Sequence, residues 1–407
     1  MGRARRRYWR PWALLALASA CAMGADESVD RVRGAITNGS IDDGDDGVVG
    51  LLSDGIHCTG TLVAPRVVLT AAHCLVATSA SAVVVGADQG SGTAFPAVHA
   101  HVHPQFDSLS LANDVGLVLL GEPVPAASWP LRVTPLDASM VGTELRLVGY
   151  GQTAATDISA VRKRQGTGTL GSFSETELEI LPGPSLTCGG DSGGPAFLVV
   201  DGTEYLAGVT SSGDCAELTR SMRVDAYRAF VDAFVAATAE GAAEPGQRCY
   251  YPDHCASGSC FFPADAPRIG YCSDACGDDG DCAAGMRCLE QPAGGRRCRY
   301  PAPSPGALGS PCESYSDCNS LLCARADAGG PGVCSVVCDR EAPSCPSGFE
   351  CLPDADQEAL HACFERPASP RGCSAASGGQ PTGLGWALLL LGFRRRRPHP
   401  RAGRAHN

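Results

Sequence analysis

The chain has 407 residues, 44% of them apolar and 19% charged, enough for two or more domains with sizeable cores. Its formal charge of −12 sets an acidic surface that argues against binding nucleic acid. Its 22 cysteines point to disulfides formed in an oxidising compartment, and the absence of any C-x-x-C pair argues against zinc.

Residues 1–22 read as an export signal. Arg3, Arg5, Arg6, Arg7 and Arg10 precede the apolar stretch WALLALASA (12–20), which is too short to span a bilayer. Ala18-Ser19-Ala20 fits a small-residue cleavage site. Cys21 is the alternative, a lipid acceptor, although Ala18 stands where such signals usually carry leucine.

From 36 to 238 the chain alternates short β-rich runs with Gly, Pro, Asp and Ser clusters. The runs are VVGLL, CTGTLVAP, VVLTAAH, AVVVGA, VGLVLL, LRLVGYG, AFLVV and YLAGVTSS. This rhythm predicts an all-β barrel or sandwich. Val224, Tyr227, Phe230, Val231 and Phe234 recur at helical spacing and predict one closing helix.

GAAEPGQR (241–248) reads as a linker by composition, and two cysteine-rich repeats follow at 249–298 and 312–363. Their cysteine intervals are 5, 4, 11, 3, 5, 5, 9 and 5, 4, 10, 3, 6, 5, 11. With few large apolar side chains, each must replace a core with disulfides. Eight cysteines allow 105 pairings, and spacing alone selects none of them.

The tail at 373–407 holds Cys373, then SAASGGQPTG, LGWALLLLGF and Arg394 to Arg397. This order resembles the myxobacterial C-terminal sorting tail. The resemblance implies a sorting protease acting near Cys373 and retention at the cell surface or outer membrane. The arginines would stay cytoplasmic while the short apolar helix enters the membrane. The alternative is a tail with no such role.

Three motifs carry chemistry: VLTAAHC (68–74) with His73, NDVGLVLL (113–120) with Asp114, and CGGDSGGP (188–195) with Ser192. VHPQFD (102–107) and VGYGQT (148–153) accompany them. In this order the motifs resemble the trypsin and chymotrypsin family of serine proteases, across 36 to about 238. The resemblance implies two six-stranded antiparallel β-barrels with a C-terminal helix, spanning 36–240, ahead of the two disulfide-rich modules. It implies a serine endopeptidase acting on protein or peptide substrates through an acyl-enzyme, with no cofactor and no metal.

A serine hydroxyl is a weak nucleophile until a neutral imidazole takes its proton, and a buried carboxylate fixes the imidazole's tautomer. The resemblance gives these roles to Ser192, His73 and Asp114. It gives the oxyanion hole to the amides of Gly190 and Ser192. It pairs Cys58 with Cys74 and Cys188 with Cys215.

The family also matures when a new N-terminus pairs with the aspartate before the serine. That aspartate is Asp191, and the matching start is Ile36, so 23–35 reads as a propeptide. Cleavage after Arg33 would leave two extra residues, so a trypsin-like activator does not fit. Leu186 stands six residues before Ser192, where trypsins carry an acid. Ser211, Ser212 and Gly213 form the expected pocket wall and Thr219 its neck. A small or apolar residue before the scissile bond is expected, a preference that would permit self-cleavage after Ala35.

His99, His101 and His103 alternate on one strand, where a metal is conceivable and a solvent-facing edge is expected. Asp42, Asp43, Asp45 and Asp46 allow calcium, but a solvated acidic turn is expected. The competing function is an inactive protease fold in a surface adhesion protein whose repeats do the binding.

Overall fold

The computed structural model describes residues 36–53, 55–76, 80–88, 90–151, 162–292, 294–341, 344–357 and 360–366. The export signal, the propeptide 23–35, Cys21, Cys373 and the apolar run 384–393 lie outside these residues. No helix among the described residues is long and apolar enough to cross a membrane.

Two six-stranded antiparallel barrels form the first part of the chain. The first closes in the order β2-β3-β4-β7-β6-β5. Its strands are β2 (Val48–Leu52), β3 (Ile56–Ala64), β4 (Val67–Thr70), β5 (Ala82–Val85), β6 (Thr93–Val102) and β7 (Gly116–Leu120). β7 is buried along its whole length because both its faces have partners. Leu117 and Leu119 join the core between the barrels, while Val118 and Leu120 fill the first barrel's interior.

The second barrel runs β9-β10-β13-β12-β11-β8 and closes through β8–β9 pairing. These strands are β8 (Glu144–Gly149), β9 (Arg164–Phe173), β10 (Glu177–Leu181), β11 (Pro195–Val200), β12 (Thr203–Gly213) and β13 (Thr219–Arg223). A short strand β1 (Ser40–Ile41) adds to the β9 edge. Helix α2 (Arg228–Ala237) follows β13 and sets Val231 and Phe234 into the inter-barrel core.

The cysteine-rich part consists of small two- and three-stranded sheets crossed by disulfides. The first set is Cys249–Cys260, Cys255–Cys272, Cys276–Cys288 and Cys282–Cys298. The second is Cys312–Cys323, Cys318–Cys334, Cys338–Cys351 and Cys345–Cys363. Both follow one scheme, two interleaved pairs and then two more. Each loop closes 11 to 18 residues, worth about 3 kcal/mol apiece on the chain-entropy account.

Three expectations need correction. The 241–248 segment is not a free linker: Ala243 is buried and bridges to Cys255, and the Gly241 amide reaches the Asp253 carbonyl at 2.7 Å. The acidic loop is not simply solvated. Asp42 is buried, its Oδ1 accepts the Gly44 and Asp45 amides, and Asp45 meets Arg146. The buried Lys163 donates its Nζ to the Asp45 carbonyl. These acids therefore answer two cations that composition alone could not place beside them.

The histidines of β6 do not face solvent as an edge. His101 stacks on Phe230 and Phe234 of α2 with ring centroids 5.3 and 5.1 Å away. His99 stacks on Tyr250 of the first cysteine-rich module at 4.6 Å. A strand judged by its own alternation gives no sign that a helix and a disulfide module will cover it.

Candidate active site

His73 opens a single helical turn, α1 (His73–Val76), directly after β4. Asp114 precedes β7 and is fully buried. Its Oδ1 accepts the His73 backbone amide at 2.8 Å and its Oδ2 lies 2.7 Å from His73 Nδ1. One carboxylate thus fixes both the start of α1 and the imidazole on it. Asn113, just before it, sits at φ +56°, a conformation asparagine tolerates. It is held by the Tyr227 hydroxyl at 3.0 Å and by its own amide on the Gln105 carbonyl.

A third donor completes the carboxylate's shell. Ser211 Oγ donates to Asp114 Oδ2 at 2.6 Å. The β12–β13 register shifts between Thr210 and Ser212, and such a bulge re-aims a side chain. Ser211 was expected as pocket wall; its hydroxyl also anchors Asp114, a role for which composition held no signal.

Ser192 lies in the turn leading to β11. Its carbonyl accepts the Thr59 amide at 2.8 Å, and the Gly193 amide donates to Thr210 at 2.6 Å. Gly193 sits at φ +82°, and a Cβ there would lie 2.2 Å from the Thr59 carbonyl oxygen, so only glycine fits. Gly190 sits at φ +93°. Among the described residues, no acceptor takes the amides of Gly190 or Ser192. Such unengaged donors suit a developing oxyanion.

Among the described residues no hydrogen bond joins Ser192 to His73. His73 Nε2 and the Ser192 carbonyl oxygen border the same sulfur, Cys74 Sγ, at 3.6 and 3.7 Å. Sites without substrate often leave this bond long or unmade. Cys74 is bonded to Cys58, and Cys188 to Cys215, with Cα separations of 6.2 and 4.6 Å.

Asp191 is fully buried behind the serine. It accepts the Gly151 and Cys188 amides, both at 2.8 Å, and the Ile36 nitrogen at 3.2 Å. Burial pushes its carboxyl up to about 6, against the lowering effect of those three donors. Gly149 and Gly151 make room for it, since a Cβ on either would strike the carboxylate. That is the physical content of the VGYG motif.

Leu186 is buried in the second barrel's core cluster, which also holds Ile36 and Leu147. The next residue, Thr187, is the one that meets Thr219: their hydroxyls are 2.8 Å apart. A Cβ on Gly213, which pairs with Thr219, would lie 2.5 Å from Thr187 Oγ1. Ser212 is half-buried beside it. Thr187 and Thr59 were both missed in the sequence, because neither carries a motif-like residue type.

The profile of the family described as Trypsin matches residues 42–231. Brachyurin from Leptuca pugilator is 30% identical over 184 residues, covering 40% of this chain and 79% of that protein. Trypsin from Saccharopolyspora erythraea is 30% identical over 175 residues, covering 39% and 75% respectively. With two closed barrels, a histidine held by a buried aspartate and a glycine-lined serine turn at their junction, the chain belongs to the trypsin family of serine endopeptidases.

Proposed function

We propose that this protein is an exported serine endopeptidase, active after removal of residues 23–35, that cleaves after small or apolar residues. Ser192 Oγ attacks the substrate carbonyl carbon as His73 Nε2 takes its proton. Asp114 holds the imidazole through Nδ1 and stabilises its cation. The Gly190 and Ser192 amides receive the oxyanion. Collapse of the tetrahedral adduct breaks the C–N bond, and the amine leaves with the proton from His73. Water then releases the acyl group by the reverse sequence. The observation that carries this reading is the hydrogen-bonded chain from buried Ser211 through buried Asp114 to His73, together with the two unengaged amides of the serine turn.

Activation by a new N-terminus has its own support. Ile36 is fully buried with its nitrogen on Asp191, yet sits at φ +38°. That is an outlier for a β-branched residue in an intact chain. Cleavage of the Ala35–Ile36 bond removes this torsion and supplies an ammonium to a buried carboxylate that has no cationic partner among the described residues. The small-residue preference is supported by the Thr187–Thr219 hydroxyl pair beside Gly213, which leaves little depth for a long side chain.

The ten disulfides among the described residues suit an oxidising, extracellular setting. Processing near Cys373 would hold the enzyme at the outer surface, with the modules between anchor and catalytic unit. A fluorophosphonate probe tests the catalytic reading directly. It should label the processed chain at Ser192 and spare Ser192→Ala; an unlabelled, correctly processed chain would mark an inactive fold.

A further inference from the structure

The two cysteine-rich modules share one disulfide scheme but not one interior. Their cysteines set the correspondence. In the second module Ala324 follows Cys323, Val333 precedes Cys334 and Phe364 follows Cys363. Ala324 and Phe364 are buried in one apolar cluster, with Val333 packed against it. In the first module the same three places, beside Cys260, Cys272 and Cys298, hold Phe261, Tyr271 and Arg299. These three line a pocket of about 420 Å³.

Tyr271 stands edge-on to both Phe261 and Tyr300, with ring centroids 5.5 and 5.0 Å away. The Arg299 guanidinium lies over the Phe261 ring. Its Nη2 donates to Gln291 Oε1 at 2.5 Å, while its buried Nη1 has no acceptor among the described residues. A buried donor left unpaired costs about 1–3 kcal/mol. The second module shows that the same disulfide frame closes on phenylalanine at that place. Arginine there is therefore no requirement of the scaffold, and such local breaches of packing concentrate at functional sites.

The lining selects the chemistry of a ligand. Phe261, Tyr271 and Tyr300 give the pocket aromatic walls. Arg299 is half-buried and makes the inner end positive; Asp265 and Glu290 are exposed and make the mouth negative. Asp265 Oδ2 accepts the Ser304 amide at 3.0 Å, which holds that carboxylate in place. An anion is repelled at the mouth and a cation at the inner end. A neutral ligand that both donates and accepts answers the guanidinium and the two carboxylates together. Adjacent hydroxyl groups on a ring with an apolar C–H face meet both demands, the polar contacts and the aromatic wall.

We propose that this pocket binds a neutral sugar unit of a polysaccharide, so that the first cysteine-rich module holds the chain on a glycan. The site lies apart from the catalytic residues, and the inference stands whether or not the chain is a hydrolase.

The test uses the full chain carrying Ser192→Ala, which prevents self-digestion, in affinity gels cast with mannan, dextran, laminarin, galactan or xylan. At least one of these neutral polymers should retard the chain, and its free monosaccharide should release it. Phe261→Ala/Arg299→Phe writes the second module's packing into the first, so the melting temperature should hold while affinity falls about tenfold or more. Glu290→Ala alters an exposed side chain only, and it should weaken retardation severalfold even if the double variant misfolds. Retardation by none of the neutral polymers overturns the proposal, as does retardation that survives both variants. Retardation confined to alginate and dextran sulfate would mark charge attraction and also overturn it. Binding to gelatin or casein that the same variants abolish, with no response to any sugar, would assign the pocket to a polypeptide instead.

Discussion

Thr59 Oγ1 donates to the Gly190 carbonyl at 3.0 Å and accepts the Tyr150 amide at the same distance. Its own amide and carbonyl engage Ser192 and Thr70. One buried first-barrel residue therefore ties down the serine turn and the segment that lodges Asp191. Thr59→Val keeps the shape but leaves a half-buried carbonyl and a buried amide unpaired, the amide at about 1–3 kcal/mol. The expected result is a fall in kcat of about tenfold, short of the hundredfold or more typical of losing an oxyanion donor. KM should stay within about twofold and Thr59→Ser should restore kcat. A rise in KM at constant kcat would show that Thr59 acts on substrate binding instead.

Asp114→Asn replaces an oxygen that accepts from both His73 and Ser211 with a group able to donate. The imidazole is then held in the wrong tautomer, and kcat should fall by about 10³–10⁴. Ser211→Ala removes one donor from a carboxylate that keeps its two bonds to His73, so a much smaller loss is expected. Measured kcat for the two variants, with thermal melts to confirm folding, separates them; equal losses would contradict this division of roles.

The fold was legible where strands are apolar. VVGLL, VVLT and GLVLL became β2, β4 and β7 because continuous burial leaves a continuous apolar run. Strands β9 and β13 were not legible: RQGTGTLGSF and TRSMR carry polar and glycine residues that tertiary partners absorb. The site followed the same division. Asp114, His73 and Ser192 sit in motifs, whereas Thr59, Thr187 and the anchoring role of Ser211 depend on which strands meet. The module disulfides were undetermined because spacing does not encode which loops cross.

Asp191 provides a pH signature of activation. In the uncleaved chain its carboxyl is raised to about 6 from 3.8, chiefly by burial. The folded state then binds more protons than the unfolded state between those values, so stability falls as pH rises through that window. A new ammonium on Ile36 reverses this by favouring the carboxylate. The processed form of Ser192→Ala should therefore melt higher than the uncleaved form at pH 7, with little difference at pH 4. The gap should shrink again once an α-amino group, ordinarily near pKa ~8, loses its proton. A gap independent of pH would refute the pairing.

The two threonines at the pocket make a sharper claim about substrates. Thr219→Gly removes one member of the 2.8 Å hydroxyl pair and opens the space facing Gly213. The ratio of kcat/KM for phenylalanine over alanine before the scissile bond should rise at least tenfold, while triad chemistry persists. An unchanged ratio would place the specificity pocket elsewhere.

The histidine stack should make module docking acid-sensitive. His99 is held down to about 3 by burial first and by nearby Arg248 and His101 next. His101, His103 and His254 are also lowered by burial. Around them stand Arg248, Tyr227, Tyr250 and Tyr251, with Asp317 as the acid that favours protonation of His99. A depressed histidine binds its proton in the unfolded or undocked state first. Docking is therefore fully stable above about 6.5 and weakens as pH falls toward 3, with His99 the largest contributor, at most ~1.4 kcal/mol per pH unit. Hydrogen exchange of 241–256 and of α2 should accelerate together between pH 6.5 and 4.5, while the barrel strands stay protected. His99→Phe keeps the stack with Tyr250 and removes the proton site, so it should flatten that response. If the variant responds to acid as the wild type does, the stack is packing alone, and the acid sensitivity belongs to another group at the interface.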